Sequence, residues 1–428
     1  MLNRLMSAAA SGCLLMLTGS PAFAYYSKDS YEAELSFESK VEVAEDTPDY
    51  ILLPSYINRQ LLYLAGPLQA APKKAAAKND AKVDILGRQY DDKTGKHYVR
   101  YRYTGTFVLD NALQDVVKIR LPLNLDEVWE RSTDKCFSWG EKYRMAYFWA
   151  PLNKGCPLVD GVDYTTADAA ILAKRPNTAG TAPAYERLAN GSGEVRVVLT
   201  FGADEDRNGN ISPDKNSDYN ARNYRDIRKF LVTQGFAGRT VPAAERERDC
   251  GNTKSLAASP GHVEEYVRTD GARKLVVRLF WGVTNIGEDS VAFFCMAKEA
   301  AERGSVFLYA GHSRVGLLDL TYMGEQIGAP IRMNKDQYQI YAFFGCSSYS
   351  YYNLSYFAAK ASPADPEGTR NASIITNGIT GSFGSMTDFT TKTLKPIFDW
   401  SARGTRTSWQ QIMNSYSERF LTGVNGDR

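Results

Sequence analysis

Hydrophobic and polar positions alternate with period two through the first part of the chain. "YEAELSFESKVEVAE" (31–45), "KHYVRYRYTGTFVLD" (96–110), "DVVKIRLPLNL" (115–125) and "RMAYFWAPL" (144–152) each put every second side chain on one face. That is the pattern of half-buried strands. Residues 25–190 are therefore expected to form a β-rich N-terminal domain, all-β and built as a sandwich. Within it, "LQAAPKKAAAKNDAK" (68–82) is rich in small residues and lysine. It reads as an exposed linker in which Lys73, Lys74 and Lys78 are open to nicking, a cut that would release or activate the C-terminal domain. "TAGTAPAYERLANGSGE" (178–194) reads as the boundary to that second domain, over residues 191–428.

Past that boundary the pattern changes. "EVRVVLTFGAD" (194–204), "KLVVRLFWG" (274–282), "SVFLYAGHS" (305–313), "YQIYAFFGCS" (338–347) and "ASIITNG" (372–378) are apolar on both faces. "ARNYRDIRKFLVTQGF" (221–236) instead has helical spacing, with Tyr224, Ile227, Phe230 and Leu231 on one face and a stop at Gly235. "EDSVAFFCMAKEAAERG" (288–304) has an acidic start and a glycine stop, and "TSWQQIMNSYSERFL" (407–421) closes the chain as an amphipathic helix. Strands with no polar face, alternating with helices, predict an α/β domain with a mainly parallel sheet covered on both sides.

Length and charge narrow the function. A chain of 428 residues exceeds the usual size of one domain. Lys and Arg number 51 against 49 Asp and Glu, so there is no global field to attract nucleic acid or a membrane. "MLNRLMSAAASGCLLMLTGSPAFA" (1–24) carries an early Arg4, an apolar stretch over Ala8–Leu17 and the small-x-small ending Ala22-Phe23-Ala24. This reads as a secretory signal peptide cleaved before Tyr25. A secreted or periplasmic protein with no membrane insertion is the expectation.

In an oxidising compartment cysteines tend to pair. With Cys13 in the leader, Cys136 and Cys156 flank one hairpin-like segment and are expected to bridge. Cys250 with Cys295 is then the second disulfide, leaving Cys346 as the odd cysteine. Two readings of Cys346 stand side by side: an inert core thiol, or a nucleophile.

In a parallel sheet, reactive groups sit beyond the carboxyl ends of the strands. "VFLYAGHS" delivers His312 to such an end and "YQIYAFFGC" delivers Cys346; the chain between them is long enough for a parallel crossover. A thiol needs a proton acceptor, and imidazole is the usual one near neutral pH. The chain has only three histidines. His97 and His262, in an alternating strand and in a loop, read as surface groups. "AGHSRVG" also invites a nucleophile elbow at Ser313. Val315 stands where the second glycine belongs, however, and no histidine follows the serine as that fold requires.

With these residues in place, the blocks "SVFLYAGHS" and "QIYAFFGCS", in that order, resemble the caspase-like cysteine peptidases of the gingipain, clostripain and legumain type. The likeness extends to "VVLTFGAD…NYRDIRKFLVTQGF" and covers roughly the C-terminal half. It implies a caspase-like fold for residues 191–428, with Cys346 as nucleophile and His312 as its acid–base partner. Backbone N–H groups of Ser313 and Cys346 would form the oxyanion site. Ser313 departs from the family's glycine at that position. No third residue is assigned, Asp319 and Glu325 being near in sequence only, and Tyr349, Tyr351, Tyr352 and Tyr356 either wall a substrate groove or pack. The resemblance also implies a peptide or protein substrate and no required cofactor. The alternative is a catalytically silent binding module of the same fold.

One motif stands apart. In "DEDRNGNISPDKNSD" (204–218), Asp204, Asp206, Asn208 and the backbone of Asn210 match calcium-loop positions around Gly209. Lys215 occupies the place of the bidentate glutamate, and Asp214 lies one residue early. A structural calcium ion and a plain exposed loop are both open readings.

Overall fold

The structure is a computed structural model that describes residues 25–140, 144–177, 181–203, 212–214, 217–250, 261–284, 290–313, 316 and 318–426. The candidate signal peptide, Cys13 included, lies outside the described residues, as do Asp204, Asp206, Asn208 and Asn210 of the calcium-like loop.

The period-two segments form an antiparallel sheet. After the short β1 (Tyr25–Ser27) come β2 (Ser30–Val43), β3 (Ala75–Ala77), β4 (Lys82–Asp91), β5 (Lys96–Asp110), β6 (Val116–Pro122) and β7 (Tyr164–Lys174). Their order is β3-β5-β2-β7-β6, with β4 also on β5. One curled sheet results rather than a two-sheet sandwich. Its apolar face, including Leu35, Phe37, Val99 and Tyr101, is covered by the mostly helical stretch between Asp49 and Ala70, through Leu52, Ile57, Leu64 and Leu68. The all-β expectation is therefore corrected: at helical spacing these leucines and isoleucine close the open face that a second sheet would otherwise cover.

The segment expected to be a linker is built into the fold. Helix Ala65–Ala70 leads into β3, and Lys78 is buried with its ammonium 3.2 Å from the Glu32 carboxylate. Its exposed residues are Ala70, Pro72, Lys73 and the run 79–82, on either side of the largely buried β3 and Lys78. A lysine can be buried where a carboxylate matches it, which residue composition alone does not show.

The second sheet is nine-stranded and mixed. It comprises β8 (Glu194–Gly202), β9 (Ala237–Thr240), β10 (Gly261–Asp270), β11 (Arg273–Gly282), β12 (Val306–Ala310), β13 (Gln339–Phe344), β14 (Ala372–Asn377) and β15 (Thr422–Gly426), with β1 at its edge. The order β14-β13-β12-β8-β11 is parallel throughout; β15 and β10 flank it antiparallel. Helices α1 (Tyr219–Thr233), α2 (Val291–Arg303), α3 (Leu320–Ile327), α4 (Asn353–Lys360), α5 (Met386–Arg403) and α6 (Trp409–Ser415) cover it. Tyr224, Ile227 and Leu231 of α1 join Phe389 and Trp409 on one face. Phe293, Met323 and Tyr356 pack on the other. The chain passes from β8 to β11 on one side and then returns to β12 on the opposite side. Such a reversal opens a crevice at the carboxyl ends of the strands.

The two units are woven together. β1 pairs with β15, so the chain enters the large sheet before it builds the small one. Among the described residues no helix is long and apolar enough to cross a membrane.

Candidate active site

β12 and β13 are parallel neighbours with Ala310 opposite Phe344. His312 follows Ala310 at the same offset at which Cys346 follows Phe344, so both candidate residues leave the sheet at matched height. The strands themselves are apolar and buried along their length, as their uninterrupted hydrophobic sequence requires. At the exits the two backbones touch. A Cβ built on Gly345 would lie 3.0 Å from the Gly311 carbonyl oxygen and 3.1 Å from the Ser313 nitrogen, so glycine permits the approach.

Buried phenols pin the histidine turn. Tyr309, inside β12, donates a 2.7 Å hydrogen bond to the His312 carbonyl, and Tyr352 donates to the carbonyl of Ser313. The His312 ring stands edge-on to Phe383, with centroids 5.2 Å apart. The cysteine turn is fixed from below: Ser348 donates through Oγ to the Phe343 carbonyl at 2.6 Å and accepts from the Asn377 N–H at 2.9 Å. Ser347 adopts a left-handed conformation, φ 45° and ψ 37°. Two phenols lie near enough to Cys346 to feel its charge. Burial, and then the charge of a Cys346 thiolate, push Tyr351 up to about 12 and raise Tyr147 as well, so both remain protonated donors near neutral pH.

Cys346 belongs to neither disulfide. Cys136 and Cys156 stand at disulfide distance with Cα atoms 4.8 Å apart, as do Cys250 and Cys295 at 5.1 Å.

The remaining candidates serve elsewhere. Asp319 caps α3, accepting from the Thr321 and Tyr322 N–H groups at 2.9 and 3.1 Å. Glu325 is exposed on that helix. Tyr349, Tyr352 and Tyr356 are buried and pack; Tyr351 is the partly exposed one. Asp214 pairs with Arg228, whose hydrogen bond and charge hold its carboxyl below the ordinary range. His262 is in β10 rather than in a loop, 3.2 Å from Glu264, and His97 lies in β5. A cleft of about 500 Å³ between α1 and β9 is lined by Arg228 and Arg239, but both cations are engaged, with Asp214 and with Glu245 and Glu265.

Tyr147, Tyr309 and Phe383 were not singled out from the sequence. Only Tyr309 carried a signal, as a polar-tipped residue in an otherwise apolar strand next to the histidine turn.

No protein-family model, no curated protein and no solved structure matches this chain.

Proposed function

We propose that the chain is an exported cysteine endopeptidase of caspase-like type, with Cys346 and His312 as its dyad. The single observation that carries the reading is the matched exit of His312 and Cys346 from adjacent parallel strands whose turns touch through Gly345. The reversal of strand order about β8, the thiol outside both disulfides and the His-before-Cys chain order support it further.

In this reading the Cys346 thiol loses its proton to the His312 imidazole and attacks a peptide carbonyl. Charge collects on the carbonyl oxygen, where the N–H groups of Ser313 and Cys346 stabilise it; such preorganised donors contribute most to acyl transfer. The imidazolium returns the proton to the departing amine. Water, deprotonated by His312, then hydrolyses the thioester and regenerates the thiol. Serine suffices at position 313 because the backbone supplies the donor.

Hydrolysis of a peptide library by the purified protein tests this. Cleavage products that disappear in Cys346→Ala support it. A library left intact by freshly prepared protein, with the thiol fully reduced and accessible, rejects it in favour of a binding module.

A further inference from the structure

The Ala146–Phe148 turn belongs to the small-sheet unit, yet it ends at the thiol turn of the large one. The turn is anchored from behind. Phe137 bridges Trp149, Ser138 donates to the Phe148 carbonyl at 2.9 Å, Ala150 donates to the Cys136 carbonyl at 2.8 Å, and the Cys136–Cys156 disulfide lies at its base. Trp149 is buried between the rings of Tyr63 and Tyr164. From this anchor the Tyr147 hydroxyl lies 2.7 Å from Ser347 Oγ, 3.1 Å from Gln69 Oε1 and 3.2 Å from Thr380 Oγ1, three oxygens that share its single proton.

Ser347 is where support is needed. A left-handed conformation is unfavourable for a residue with a Cβ and persists only where its surroundings hold it. Here its N–H donates to the Ile379 carbonyl at 3.3 Å and its Oγ to the Gly378 carbonyl at 3.0 Å, leaving Oγ lone pairs facing Tyr147. The loop that receives these bonds is fastened in turn. Gln69, again of the small-sheet unit, accepts from the Thr380 N–H at 2.9 Å and from its hydroxyl at 2.7 Å.

We propose that Tyr147 is a positioning residue for Cys346, bracing Ser347 in the left-handed conformation that turns the chain directly after the thiol. The inference rests on reading Cys346 as the nucleophile. It makes the N-terminal unit part of the site rather than a removable cover, because a chain lacking that unit lacks the brace.

The test is the rate at which iodoacetamide alkylates Cys346 in native, non-reduced protein, followed by mass spectrometry. It is measured in wild type, Tyr147→Phe, Ser347→Gly and the double variant, with peptide hydrolysis run in parallel. Tyr147→Phe should slow alkylation about five- to tenfold, the scale of one unsupported left-handed residue. In the Ser347→Gly background the same change should alter the rate less than about twofold, because glycine holds a positive φ unaided. A Tyr147→Phe rate equal to wild type overturns the inference. So does a faster one, which would mark Tyr147 as a shield, and so does an equal loss in both backgrounds. If wild type cleaves no peptide but the alkylation pattern holds, the peptidase reading falls and the brace stands.

Discussion

The hydroxyl of Tyr349, just beyond Cys346, donates a 2.7 Å hydrogen bond to the buried carboxylate of Glu32, in the other unit. Lys78 and Arg175 each approach that carboxylate at 3.2 Å, and Asn425 of β15 donates to it at 3.3 Å. One anion thus ties the small sheet, the edge of the large sheet and the thiol turn together.

Glu32→Gln should destabilise the protein by about 3–5 kcal/mol, because Lys78 is left buried without its counter-charge. Burial alone would raise the Glu32 carboxyl, but Lys78, Arg175 and the Tyr349 hydrogen bond outweigh it and hold it below the ordinary value. A carboxyl lowered on folding contributes stability above its unfolded value and loses it as pH falls through the folded one. Urea unfolding at pH 7 and at descending pH should show the wild-type advantage over Glu32→Gln shrinking only on the acid side. An advantage that instead shrinks toward alkaline pH would contradict the assignment.

Gly345→Ala places a methyl group 3.0 Å from the Gly311 carbonyl oxygen and must push the two turns apart by tenths of an ångström. Misplacement on the way to 1 Å can cost a reaction about 100-fold, whereas the packing strain is about 1–3 kcal/mol. Peptide hydrolysis should therefore fall far more than thermal stability. Equal activity in folded Gly345→Ala would show that the approach of the turns does not matter.

Trypsin should cut after exposed Lys73 and spare buried Lys78. The fragments should co-elute under native conditions, because β1 stays paired with β15 and β2 with β5. Separation into a free C-terminal body would contradict the woven arrangement.

Non-reducing digestion and mass spectrometry should return Cys136–Cys156 and Cys250–Cys295 as the bridges, with Cys346 in neither. Replacing Cys250 and Cys295 by alanine opens a loop spanning 45 residues of sequence separation, and should cost ~3–4 kcal/mol in urea unfolding on the chain-entropy model. A bridge from Cys346 to any of the others in active protein would rule out the nucleophile role proposed for it.

The parallel strands were legible because strands buried on both faces have no polar positions to confuse them. β8, β11, β12, β13 and β14 lie where the apolar runs predict. The elements that escaped carry residues that argue against them. Helix α5 contains Pro396, the helical stretch over the small sheet contains Pro54 and Gly66-Pro67, and β15 is "TGVNG", with two glycines and no alternation. In each, tertiary packing overrides local propensity. Of the tail expected as one helix over 407–421, only the short α6 is helical; β15 follows at Thr422 and needs β14 beside it to exist. Of the candidate site, His312 and Cys346 were visible because they follow strand ends. Tyr147 was not, since its partner Ser347 lies 200 residues away and only the fold brings them together.

Whether His312 and Cys346 act on one substrate carbonyl decides the function proposed for this chain. The most direct measurement is labelling by a peptidyl acyloxymethyl ketone, which requires an attacking thiolate beside a bound peptide, in wild type, Cys346→Ala and His312→Ala. A working dyad predicts a single label on Cys346 in wild type, none in Cys346→Ala, and labelling in His312→Ala slowed by about 100-fold or more, the scale of general acid–base assistance. Labelling that persists in Cys346→Ala, or that is indifferent to His312→Ala in folded protein, would contradict it.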